Sequence, residues 1–189
     1  MTRIAIDAMG GDHAPAEIVA GAVWAAQEYG VALDIVGKED EINAELKKIA
    51  KVGGIYSDCG KKGRQMKVKI DLSKIDYKVT HASEVIEMGE AVGQALRKKK
   101  DSSIVLAVKS VADGFSDGIV AAGSTGAAMA SSLFGLGRIK GITRPAIAVT
   151  LPTVAKPIVL IDGGANSNCT AQMLKQFAVM GATYSKNVL

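Results

Sequence analysis

The sequence predicts an α/β fold, a mostly parallel sheet flanked by helices in three layers. Short β-branched runs alternate with helical periodicities along its length. Aromatic residues make up only 4% of the chain while Ala, Val, Ile and Gly are abundant, which suits small-residue helices packed closely on a buried sheet. Polar, Gly-rich loops follow several of the strand-like runs, as they do where strands hand over to helices.

The first unit reads as strand, loop, helix. Arg3-Ile4-Ala5-Ile6-Asp7 is short and β-branched, Gly10-Gly11 makes a turn, and Pro15 stands where a helix can begin. Ile18, Val19, Ala22, Val23 and Ala26 then share one helical face, and Gly30 closes that helix. Ala32 to Gly37 is the next strand, followed by a charged helix from Glu39 to Lys51. A strand–helix–strand order of this kind implies parallel strands with a right-handed crossover.

Residues 52–69, with Gly53-Gly54, Gly60 and Gly63 among several lysines, suggest an exposed loop or hairpin. The α/β rhythm returns with a strand at Tyr77 to Thr80. A polar connection then leads from Glu84 to the basic run Arg97-Lys98-Lys99-Lys100. Ser102 or Ser103 can cap a helix carrying Ile104, Val105, Val108 and Val111. Asp117 to Ala122 is a further strand, and Gly123-Ser124-Thr125-Gly126 opens another helix. Ala146 to Leu151 and Ile158 to Asp162 are two apolar strands, and a last helix runs from Thr170 to the end. That helix has no following strand in sequence, so Phe177, Met180, Tyr184 and Leu189 are expected to be left partly exposed. The whole, 1–189, is expected to be a single α/β domain, truncated from a longer protein.

Composition narrows the function classes. A net charge of +4 without a concentrated basic face or interleaved aromatics argues against nucleic acid. Cys59 and Cys169 stand far apart without metal-ligand spacing, and so do His13 and His81, so neither a disulfide framework nor a metal site is expected. The uncharged stretch 118–137 is broken by Gly and Ser, which speaks against a membrane span. No signal peptide is expected, since the apolar run behind Met1 meets Asp7 almost at once.

Three Gly-rich loops fall at the carboxyl ends of strands: Asp7 to His13, Gly123 to Gly126, and Asp162 to Asn166. Glycine lets backbone amides approach an anion, and a helix starting just after such a loop adds unpaired N–H groups and a favourable dipole. One such loop is equally a tight turn; three at equivalent positions point to an anion site. His13, beside Asp12, is either a general acid or a loop-orienting side chain, and Arg144 is either an anion ligand or a surface charge. Gly135-Leu136-Gly137 follows a helix and has the wrong spacing for a dinucleotide loop. Neither a Walker A sequence nor a G-x-S-x-G elbow occurs.

Taken in order, these segments resemble the bacterial phosphate acyltransferase family. Ile4 to Asp12 is similar to that family's opening signature, and His81 to Ile86 and Arg97 to Ser103 to its middle. Asp117 to Gly126, Arg144-Pro145-Ala146, Leu151-Pro152-Thr153, Gly164-Ala165-Asn166 and Gln176 to Gly181 follow in the family's order. Ser124 stands where the family usually has Asn, and Val92 where it usually has Pro. The resemblance covers about the first half of such an enzyme.

It implies a fold of the isocitrate and isopropylmalate dehydrogenase-like group and a reaction in phospholipid synthesis. There inorganic phosphate attacks an acyl-[acyl carrier protein] thioester to give acyl phosphate, with no cofactor. It also implies a phosphate- and substrate-binding set of Gly10, Gly11, Gly123, Ser124, Thr125, Gly126, Arg144, Gly164 and Asn166. His13 and Asp12 are then the catalytic candidates. Arg97, Lys98 and Lys100 are expected to dock the acidic carrier protein. A cytoplasmic homodimer, with peripheral membrane association of the full-length enzyme, belongs to the same expectation. The alternatives are a short-chain phosphotransacylase using coenzyme A, a non-catalytic phosphate- or carrier-binding fragment, and an oxidoreductase of the same fold group.

Overall fold

A computed structural model gives the fold and describes residues 1–58, 65–163, 166 and 168–189. The chain divides into two compact units, Met1–Leu136 and Gly137–Leu189.

In the first unit, β1 (Arg3–Asp7), β2 (Ala32–Gly37), β5 (Tyr77–His81) and β6 (Gly118–Ala121) form one sheet in the order β5-β2-β1-β6. Every neighbouring pair is parallel, with Ile6 opposite Ile35 on one side and Val120 on the other. Side chains of successive strand residues alternate between the two faces. Ile6, Leu33 and Ile35 pack with Val19, Val23 and Ala26 of α1 (Ala16–Tyr29) and with Ile42, Leu46 and Ile49 of α2 (Glu39–Val52). Ala5 and Val36 face the other way, onto Ala107 of α4 (Ser103–Ala112). Helices thus cover both faces of a parallel sheet, as the strand–helix periodicity requires.

α1 ends at Gly30, whose φ of 65° is a left-handed conformation that costs glycine little and other residues more; its amide bonds Ala26 O at 2.9 Å. Between α2 and β5, β3 (Gly54–Asp58) pairs antiparallel with β4 (Gln65–Lys69), while Gly60 and Gly63 lie outside the described residues. Cys59 lies outside the described residues.

Two local readings change. The connection before the basic run holds a short helix, α3 (Val92–Lys98), whose one buried residue is Ala95. Two turns with a single buried position leave no periodic signal in sequence. Ser102 occupies the N-cap of α4, yet its hydroxyl makes no cap bond, is fully buried and has no partner among the described residues. A polar atom buried without a partner costs about 1–3 kcal/mol. Ser102→Ala is therefore expected to leave stability unchanged or to raise it, the reverse of a cap deletion; thermal denaturation measures it. A loss of about 1 kcal/mol, as for a working cap, would contradict this.

α5 (Thr125–Gly135) follows β6 and lies on the α4 side, where Ala127 is buried with Ile104 of α4 and Ala95 of α3. In the second unit β7 (Ala148–Leu151) and β8 (Ile158–Ile161) form an antiparallel hairpin. α6 (Ala171–Val188) packs on β8, starting at Thr170, whose Oγ1 accepts from Met173 N at 3.3 Å. Phe177 departs from the expectation: with Met173 it is the buried anchor of α6, while Tyr184 and Leu189 are exposed and Met180 is half-buried.

Candidate functional site: the crevice between β1 and β6

The strand order sets the site. From β1 the chain moves outward to β2 and β5, then returns to place β6 on β1's other side. The helix after β1 covers one face and the helix after β6 the other, so the loops leaving the two strands diverge and open a crevice at their carboxyl ends. Ligands of open parallel sheets bind at such a switch point.

The two loops meet backbone to backbone. A Cβ added to Gly10 would lie 2.7 Å from Asp7 Oδ2 and 2.9 Å from Gly123 N. One added to Gly123 would lie 2.9 Å from Gly10 Cα, and one on Gly11 3.3 Å from Ala122 O. Glycine is needed because the other loop's main chain occupies the space a side chain would take. Ser124 caps α5, its Oγ accepting from Ala127 N at 3.3 Å, and Ala128 N bonds Ser124 O at 2.9 Å. The amides of Thr125 and Gly126 come before the first intrahelical bond and are directed past the helix end.

Asp12 and His13 are exposed in the turn that leads into α1. His13 is held there through its carbonyl, which accepts from Glu17 N at 3.1 Å. Gly10, Gly11, Gly123, Ser124, Thr125 and Gly126 are therefore brought together within the first unit, with Asp12 and His13 on the adjoining turn.

Sequence reasoning passed over Asp7, the last residue of β1. Its side chain is buried against Gly10, and Met9 N donates to its Oδ1 at 3.4 Å. Burial pushes its carboxyl pKa up from the ordinary 3.8, against a smaller downward pull from the Ser103 hydroxyl and the Met9 and Gly10 amides. A carboxylate closing a strand three residues before the adjacent pair Gly10-Gly11 was the available signal, but only tertiary packing shows it to be buried.

The linkage has a definite sign. A raised folded-state pKa contributes stability that is fully present below the unfolded value of 3.8 and is lost as pH rises through the folded value. At neutral pH the ionised form is a buried charge. Asp7→Asn is accordingly expected to stabilise the fold at about pH 7, with an advantage that shrinks as pH falls toward 4. Denaturant unfolding of both proteins across that range measures it. An advantage that grew on acidification would contradict the assigned direction.

The second unit joins two more of the expected residues. Arg144 Nη1 donates to Asn166 Oδ1 at 2.7 Å, and Asn166 Nδ2 donates to Asp162 Oδ1 at 2.8 Å. Asp162 sits at φ 59°, a left-handed backbone that Asp tolerates better than most side chains. Asn166 is buried, so it orients the Arg144 guanidinium, whose other N–H donors have no partner among the described residues. Gly164, expected in the same set, lies outside the described residues.

Arg97 and Lys98 are exposed in the last turn of α3, and Lys100 just beyond it. The intervening Lys99 is structural: its Nζ donates to Val85 O at 2.7 Å and pairs with Glu90.

The chain is similar to known proteins along nearly its whole length. The family model described as "Fatty acid synthesis protein" matches residues 2–55 and 60–189. A phosphate acyltransferase of Desulforamulus reducens is 49% identical over 189 residues, all of this chain and 50% of the relative. Phosphate acyltransferases of Pelotomaculum thermopropionicum and Heliobacterium modesticaldum are each 48% identical. They cover 98% and 99% of this chain, and 48% and 50% of their own lengths. The chain thus spans about half the length of the curated relatives it matches. It belongs to the fatty acid synthesis protein family, among relatives named phosphate acyltransferase.

Proposed function

We propose that the chain is the amino-terminal part of a longer α/β enzyme. Its reaction transfers an acyl group from an acyl-[acyl carrier protein] thioester to inorganic phosphate for phospholipid synthesis. The observation that carries this reading is the meeting of the Gly10 and Gly123 loops at the β1–β6 switch point, with the start of α5 beside them. That crevice offers main-chain N–H groups and a helix dipole to a dianion.

The chemistry asks little more of the protein. A phosphate oxygen attacks the thioester carbonyl carbon, a C–O bond forms, the C–S bond breaks, and the carrier leaves with its sulfur as the thiol. A proton for that sulfur comes from the attacking phosphate or from His13, which stands at the exposed edge of the loop with Asp12 beside it. Amides aimed at the crevice stabilise the oxyanion of the tetrahedral intermediate. Arg144, oriented by Asn166, is the anion-ligand candidate of the second unit in this reading. The enzyme works in the cytoplasm at the membrane face, where an amphipathic acyl phosphate is consumed. No described helix is long and apolar enough to cross a membrane.

Phosphate titration of the purified chain, followed by calorimetry, tests the site. Saturable binding that arsenate displaces and nitrate does not is the expected result; a folded chain that binds no phosphate overturns the reading. Acyl phosphate formation from acyl carrier protein and from acyl-coenzyme A, compared in the same assay, decides the donor. Because the chain spans half of its relatives, turnover by it alone is expected to be far below that of a full-length protein.

A further inference from the structure

On the α4 side of the sheet, away from the Gly loops, an open groove of about 610 Å³ runs between α3, α4 and α5. Its floor is apolar, formed by Leu96 of α3, Val105 and Val108 of α4, and Phe134 of α5. Phe134 is 79% exposed, a large aromatic side chain held in water at the groove's edge. α5 can approach α4 here because Gly135 has no side chain; a Cβ would come within 2.5 Å of Val108 Cγ1. The rim is cationic. Arg97, Lys100 and Lys109 line it, all three are exposed, and the lining contains no carboxylate.

An apolar trough with basic edges selects a partner that is apolar along one stripe and acidic beside it, the helix-in-groove mode of recognition. A second copy of this chain would set one cationic rim against another, which disfavours self-pairing. α5 also links the groove to the crevice. Nine residues separate Thr125 at the crevice from Phe134 at the groove, about 14 Å at the helical rise of 1.5 Å per residue. A flexible thioester-bearing arm on a docked partner can bridge such a span.

We propose that this groove docks an acidic amphipathic helix of the acyl-carrying protein, with Phe134 as the apolar anchor and Arg97, Lys100 and Lys109 as the charged contacts. The inference rests on the function proposed above, and it adds Lys109 and Phe134 to the expected docking residues. Lys98 is not among the groove's lining residues.

The test is fluorescence anisotropy of dye-labelled holo-acyl carrier protein titrated with the 189-residue chain at low salt. Phe134→Asp, and separately the double change Lys100→Glu with Lys109→Glu, are each expected to raise Kd tenfold or more. Added salt is expected to weaken the wild-type complex. All these positions are exposed, and circular dichroism confirms that the variants fold. If the carrier binds the wild-type chain and both variants equally, the groove is not the docking site, while the proposed reaction still stands. If the wild-type chain binds no carrier, the docking proposal and the carrier part of the proposed function both fail. If sedimentation shows a wild-type dimer that Phe134→Asp makes monomeric, the groove is a self-association face and the proposal is overturned.

Discussion

Gly123→Ala is expected to destabilise the fold and weaken phosphate binding together. The new methyl would lie 2.9 Å from Gly10 Cα and 3.5 Å from Gly11 N, so it meets main chain rather than a side chain able to rotate away. Overpacking of this kind costs about 1–3 kcal/mol, and more where the backbone itself must move. Relief requires separating the two loops, which widens the crevice and withdraws their amides from a common ligand. Phosphate affinity is therefore expected to fall by at least about tenfold, equivalent to about 1.4 kcal/mol.

Gly126→Ala supplies the contrast. Its added methyl meets Val92 Cγ2 at 3.2 Å, a side-chain contact, and alanine favours the helix that Gly126 belongs to. Stability there is expected to change by less than about 1 kcal/mol. Calorimetric titration with phosphate, alongside thermal denaturation of both variants, separates the two cases. A Gly123→Ala protein with wild-type melting and wild-type phosphate affinity would contradict the steric account of the crevice.

Asp34→Ala is expected to have the larger effect on the fold alone. Asp34 lies in β2 at 1% exposure, its side chain on the α4 face of the sheet. Thr80 Oγ1 of β5 donates to its Oδ1 at 2.6 Å, and Ser110 Oγ of α4 to its Oδ2 at 2.6 Å. Ser110 and Ser116 hydroxyls lie 2.9 Å apart, extending the network to the loop before β6. Truncation strands both hydroxyl donors in a partly buried space, at about 1–3 kcal/mol for each group left without its partner. A loss of about 3 kcal/mol or more follows, which is about 6–12 °C in Tm for a chain of this size. Asp34→Asn keeps an acceptor and the volume and should cost less. An Asp34→Ala protein that melted within about 2 °C of wild type would show that the network contributes little.

The sequence by itself determined the element order, the helix faces and the Gly-rich turns, because each of these is written in local spacing. Ile18, Val19, Ala22, Val23 and Ala26 fall on one face of any α-helix, and Gly30 stops it whatever lies nearby. The Gly10 and Gly123 loops were visible as strand-to-helix turns for the same reason, and the family's opening signature lies across the first of them. Tertiary structure alone decided what lies next to what. Strand order is a matter of long-range pairing, and it is the placement of β6 beside β1 that turns two separate turns into one crevice. The burial that raises the pKa of Asp7 comes with packing that sets its carboxyl beside Ser103, far away in sequence, so no local pattern marks it. Phe177 is buried in its own hairpin unit, and the groove beside Phe134 exists because three successive helices, α3, α4 and α5, leave an apolar trough between them when they pack. Spacing along a chain fixes which side of an element is apolar; only closure of the fold fixes what that side meets.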